Sequence, residues 1–181
     1  TIASECDIIY LNHISEEIIM HYLFASIESF EQFLKNEYSS ELQAQSDDLN
    51  NIVVYAFGKV LYSFEPIFLY CSKEKNLRSN CFRLSVAQLS KLKFIAEHIE
   101  TIKLAAKLSK SDLTLASNSI IFESHSDLAV LIEFQDLYDG RIAVRAKDLN
   151  NRRRSSHSVV YDFKDIAVAL QEVHEDLDKE N

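Results

Sequence analysis

Apolar residues in this chain repeat every three or four positions over two long stretches, every second position from 112 to 161, and at helical spacing again to the end. A period of 3.6 buries one stripe of a helix and a period of two buries one face of a strand. The switch between them dictates an α+β chain. In the first helical stretch Ile19, Leu23, Ile27, Phe30, Leu34 and Tyr38 share one face. Ser15 ahead of Glu16 and Glu17 supplies an N-cap and an acidic first turn, so a helix is predicted from there to Tyr38. Residues 6–12 read as a short strand or extended lead-in, and the polar run 39–51 as a loop or frayed helix end.

Residues 52–72 are β-branched and aromatic, which predicts two or three strands, interrupted by a Gly58-Lys59 turn and by Glu65-Pro66. A helix through 49–64 stays open, because Ile52, Ala56, Val60 and Phe64 are also four apart. After a turn-rich connection at 73–80 and a brief strand at 81–84, Leu89, Leu92, Ile95, Ile99, Ile102 and Ala106 predict one long helix. Its outward positions include Lys91, Lys93, Lys103 and Lys107.

Period two then predicts strands at 112–116, 119–123, 128–135, 141–147 and 158–161, with Asp139-Gly140 as a tight hairpin. Asp162 caps a last helix whose face is Phe163, Ile166, Leu170, Val173 and Leu177. These elements predict a single α+β domain over 1–181, an antiparallel meander sheet covered by two or three amphipathic helices in two layers. An acidic N-terminal helix region fills 1–50, strands plus the basic helix 51–111, and the meander plus C-terminal helix 112–181.

Composition narrows the function classes. Two glycines and one proline stand where average usage would give about a dozen and roughly nine. Glycine-rich phosphate loops of the Walker or Rossmann type are excluded on that ground. No apolar run approaches the ~20 residues that span a membrane. No basic segment followed by an apolar core opens the chain. A start at Thr1 rather than methionine reads as a trimmed or excised piece. Cys6, Cys71 and Cys81 have no paired spacing and read as free thiols of a reducing compartment, although Cys71 and Cys81 would face each other across a hairpin centred on Asn76. The expected location is cytoplasmic, or nuclear in a eukaryote.

Charge is laid out in blocks: net −9 over 1–50, +6 over 51–111, −6 over 112–140, +5 over 141–164 and −5 over 165–181. Segregated sign means faces that neutralise each other internally or faces that meet charged partners. The basic hairpin gathers Arg141, Arg145 and Lys147 on one strand face, with Arg152, Arg153 and Arg154 in the loop that follows. Such a set clamps phosphates or forks onto acidic protein segments. Glu16, Glu17, Glu28, Glu31, Asp47 and Asp48 form an acidic counterpart, which either mates with the Lys91–Lys107 helix or suits a basic partner. Arg153-Arg154-Ser155-Ser156 also has the pattern of a basophilic kinase target.

No nucleophile–base constellation carries a local signature. His13, Glu17 and His21 are four apart, but an N-cap at Ser15 leaves His13 outside the helix, so no metal site is expected. His174 and Asp178 read as a solvated i,i+4 pair. Glu133, Asp136 and Asp139, with Asp127, read as acids around a hairpin rather than a calcium loop. The expectation is a non-enzymatic protein–protein interaction module, an adaptor, assembly subunit or regulator, without cofactor. A nucleic-acid-associated subunit is the second reading, disfavoured by net charge −9 and pI ≈ 5.1. A small-molecule enzyme or sensor with an apolar pocket is the third.

Overall fold

The computed structural model describes residues 23–68, 82–125, 129–151 and 153–179. They form two compact units. One takes 23–56, 62–68 and 82–96, and the other 57–61 and the described residues from 97 onward. The architecture is α+β with antiparallel pairing throughout.

The first unit holds strand β1 (Leu23–Phe24), helix α1 (Ile27–Glu37), strands β2 (Gln43–Ser46), β3 (Ile52–Ala56), β4 (Lys59–Phe64), β5 (Ile67–Phe68) and β6 (Phe82–Arg83), and helix α2 (Val86–Glu97). One small sheet has the order β1-β6-β5 and the other is the meander β2-β3-β4, whose hairpin tip at 57–61 belongs to the second unit. Its core is aromatic. Phe24 sits 5.1 Å from Phe30, centroid to centroid, and 5.5 Å from Phe82, while Phe64 lies 6.1 Å from Phe30. The Phe30–Phe64 and Phe30–Phe82 pairs are edge-to-face, the arrangement ring quadrupoles prefer.

α1 starts later than the sequence predicts. Leu23 and Phe24 pair with Arg83 and Phe82, and Ser26 and Ser29 form a reciprocal capping box with both bonds at 3.1 Å. A capping box fixes a helix start more strongly than face periodicity does. The predicted cap at Ser15, the His13–Glu17–His21 spacing, residues 6–12, Glu16, Glu17 and all three cysteines lie outside the described residues.

The polar run predicted as a loop contains β2, in which Ala44 alone is buried. The Glu31 carboxylate explains why it stays in place: Oε2 accepts the Ala44 N–H at 2.8 Å while Oε1 accepts from Lys35 at 2.8 Å. Those two bonds, the Lys35 bond first, hold the Glu31 carboxyl below the ordinary carboxylate range. Residues 52–64 are strands, which removes the helical alternative. The turn between them is Phe57-Gly58, one residue earlier than predicted. Both sit at positive φ, 55° and 72°, as a type I′ hairpin requires.

The helix predicted across 89–106 is two helices, α2 and α3 (Ile99–Leu108). His98 interrupts it at φ −116°, ψ 22°, its Nε2 3.3 Å from the Asp136 carboxylate. Neither glycine nor proline marks the break. A tertiary contact holds His98 off the helical geometry, so periodicity passes through it unaltered.

In the second unit α3 precedes a five-stranded antiparallel meander: β7 (Thr114–Leu115), β8 (Ser119–Glu123), β9 (Val130–Asp136), β10 (Ile142–Asp148) and β11 (Ser155–Val160). Asp162 accepts the Lys164 N–H at 3.1 Å and caps a 3-10 turn, from which α4 (Ile166–Lys179) runs on. Ile120, Phe122, Ile132, Phe134, Val144, Ala146 and Val160 are buried on one sheet face. α4 packs over β10 and β11 with Ile166, Ala169, Val173 and Leu177, and α3 reaches β8.

His174 and Asp178 form no ion pair, contrary to the solvated pair predicted. Burial of the imidazole against the sheet pushes its pKa below the ordinary 6.5, and Asp178 only partly opposes this. Among the described residues no helix is long and apolar enough to cross a membrane.

Ser26→Ala removes the α1 cap and is expected to cost about 1 kcal/mol in urea unfolding. Because the His174 pKa is lowered on folding, the unfolded chain takes up that proton first. Its contribution is complete above 6.5 and is lost as pH falls through the lowered folded value. His174→Gln is expected to flatten the fall in melting temperature between neutral and mildly acidic pH.

Candidate binding surface

The register of the second unit sorts its side chains onto two faces. Arg145 lies opposite Glu133 on one side and His157 on the other, Lys147 opposite Leu131 and Ser155, and Ala143 opposite Gln135 and Val159. Directly opposite residues share a face. The face away from α3 and α4 therefore carries Lys147, Arg145 and Arg141 in one column, with Ser155, His157, Val159 and Tyr161 alongside on β11 and just beyond it. Arg145, Lys147, Ser155 and His157 are exposed, Val159 is 39% exposed and Tyr161 76%. A depression of ≈ 490 Å³ on this face is lined by Leu131, Glu133, Arg145, Lys147, Ser155 and His157.

The six bases predicted for the hairpin have different fates. Arg141 Nε donates to Asp139 Oδ2 at 2.7 Å, its Nη2 bonds the same oxygen, and the guanidinium lies 5.7 Å from the Tyr161 ring centroid. These contacts raise the Arg141 pKa, and the Arg141 bond lowers that of Asp139. Arg154 turns inward, with Nη1 3.5 Å from Asp148 Oδ2 and both side chains largely buried at 14% and 13%. Arg152 lies outside the described residues. Arg153 is exposed in the loop. Arg145 and Lys147 are exposed and make no ion pair among the described residues. The carboxylate nearest Arg145 in register, Glu133, is instead bonded by Ser119 Oγ at 2.7 Å.

The loop itself is organised around Asp148. Its Oδ1 accepts N–H bonds from Asn150 at 2.8 Å and Asn151 at 3.1 Å, and the Asp148 and Leu149 amides donate to Arg154 and Ala129 carbonyls. The sequence presents Asp148 only as a diluting acid; in the fold it closes the loop and withdraws Arg154 from it.

The acidic set is dispersed in the same way. Asp47 accepts the Leu49 and Asn51 amides at 2.9 and 2.8 Å and the Asn51 side chain at 3.0 Å, which closes the β2–β3 turn and lowers its pKa. Glu31 is held by Lys35 and Ala44. Glu28 and Asp48 are exposed. Glu16 and Glu17 lie outside the described residues.

His157, Ser155, Leu131 and Val159 join the surface without having been singled out. The β10–β11 register across the 149–154 loop sets His157 beside Arg145 once β11 begins at Ser155. The polar run Ser-Ser-His-Ser hides that start, since it shows no apolar alternation. Among the described residues no three His, Cys, Asp or Glu side chains gather as a cation cage. Compared with known proteins, the chain matches no family model, no curated protein and no solved structure.

Asp148→Ala is expected to cost on the order of 2 kcal/mol, because it strips the loop amides of their acceptor and removes the largely buried ion pair with Arg154. Arg145→Ala and Lys147→Ala are expected to stay within about 0.5 kcal/mol of the parent. Urea unfolding of the three variants checks this division between structural and available charge.

Proposed function

We propose that the protein is a protein-binding module whose docking surface is the open face of β10 and β11. One observation carries this reading: exposed Arg145 and Lys147, which make no ion pair among the described residues, stand opposite exposed His157 and Ser155, with exposed Val159 and Tyr161 further along the same face. Nucleic-acid backbones reward many phosphate contacts and flat aromatic stacking. Protein interfaces instead combine an apolar and aromatic centre with arginine and a polar rim, the mixture present here. Arg141 is engaged by Asp139 and Arg154 by Asp148, which reduces what the hairpin offers a phosphate backbone. Arg145 and Lys147 suit steering and register with an acidic protein partner, roles in which charge raises association rate and selectivity more than raw affinity.

A photo-crosslinking amino acid in place of His157, introduced in cells of the source organism, tests the reading. Discrete protein adducts that disappear when Arg145 and Lys147 are both changed to Glu are expected. Nuclease-sensitive adducts, or protein adducts indifferent to that charge reversal, overturn it.

A further inference from the structure

We infer that β11 is an acceptor edge, and that the partner adds to it an extended segment with acidic residues at alternate positions. The inference rests on the open face of β10 and β11 being the docking surface and names what occupies it.

β11 is the terminal strand of the five-stranded sheet and pairs in unbroken register with β10 from Ser155 to Val160. Among the described residues no strand pairs with its other side. Sheet edges are ordinarily blunted by proline, a bulge, an inward charge or a strand too short to template pairing. β11 has none of these. Its sequence is Ser-Ser-His-Ser-Val-Val, and its six pairs run without an offset. β7, at the other edge, is two residues long.

The side chains around the edge define the incoming strand. On the open face it would lie beside Ser155, His157 and Val159, with Arg145 and Lys147 one strand further in. Two strand spacings are about 10 Å, which an arginine or lysine and a glutamate reaching toward each other can span. On the opposite face α4 sets carboxylates along the edge: Ser156 Oγ donates to Asp176 at 3.0 Å and Ser158 Oγ to Glu172 at 3.2 Å. A second depression, ≈ 450 Å³, lies there between Ser155, Ser156 and His157 and the Asp176, Leu177 and Lys179 end of α4. Alternate residues of the added strand thus meet cations on one side and carboxylates on the other. Acidic residues suit the first set, and hydroxyl or basic residues the second.

The same charges reject a second copy. Antiparallel pairing of two β11 strands would bring the edge carboxylates Glu172 and Asp176 of one copy toward those of the other. Like charges opposed across strands are destabilising. A strand from a different protein, with the complementary alternation, avoids that penalty and gains main-chain hydrogen bonds, as in other β-augmentation complexes.

The test uses the full chain and fluorescein-labelled ten-residue peptides, one alternating Glu-Thr and one alternating Lys-Thr, read by fluorescence anisotropy. The Glu-Thr peptide is expected to bind at least about tenfold more tightly, and Arg145→Glu with Lys147→Glu to remove about that factor while leaving the melting temperature unchanged. Backbone N–H groups alternate sides along a strand, so N-methylating one alternate set of peptide amides is expected to abolish binding and methylating the other set to leave it. Amide exchange at 155–160 is expected to slow on binding.

Equal binding by both methylated series, with no exchange protection in β11, would show the peptide lying on the face rather than extending the sheet. That overturns the acceptor edge and leaves the docking surface standing. Equal or tighter binding of the Lys-Thr peptide, or no binding of either, overturns the acidic strand, and the crosslink at position 157 then judges the docking surface by itself.

Discussion

Burial of one face of the five-stranded sheet fixes the rest of the second unit. Ile132, Phe134, Val144 and Ala146 must face α3 and α4, and side chains alternate with a period of two, so Arg145 and Lys147 are forced outward. A slip of one residue in β10 would drive both cations into the core and bring the apolar set to the surface. Unpaired buried charge costs far more than any gain from re-pairing the strands. The cationic column is therefore a consequence of core packing, and its position relative to His157 and Val159 is as firmly specified as the core itself.

A chain with two glycines must build its turns from other material. Asp47, Asp148 and Asp162 each accept nearby backbone N–H groups, and Asp136 and Asp139 do so around the β9–β10 hairpin. Asn50, Phe57 and Tyr138 take positive φ beside or in place of glycine. Short carboxylate side chains mimic a backbone turn at little cost, which is why they concentrate in such loops. Much of the acidic charge that looks like a binding signature is thus turn chemistry, and the formal charge of a block overstates what it offers a partner.

Elements with an apolar face were legible. β8, β9 and β10 fall within a residue or two of their sequence assignments, and α4 begins three residues after the predicted start at an exposed Phe163, because burial of alternate or three-to-four-spaced residues is what formed them. Elements made by tertiary pairing were not. β2 buries only Ala44, β11 opens on a polar run, and the break at His98 follows from its contact with Asp136. Leu23 continues the α1 periodicity and yet pairs as a strand with Arg83, since the capping box at Ser26 ends the helix first. Of the candidate surface, the column Arg141, Arg145 and Lys147 was legible from alternation. Its β11 neighbours, and the withdrawal of Arg141 and Arg154, were not.

By itself the sequence determined the α+β class, the meander, the outward face of β10 and the segregation of charge, since each follows from periodicities and counts that no packing changes. Tertiary structure alone decided which charges remain available. Whether Arg154 meets solvent or Asp148, whether Glu133 turns to Arg145 or to Ser119, and which strand stands beside Arg145 depend on distances of three or four ångströms between residues far apart in the chain. A pattern along the chain records which face a side chain takes, while its partner on that face is set by the neighbouring strands.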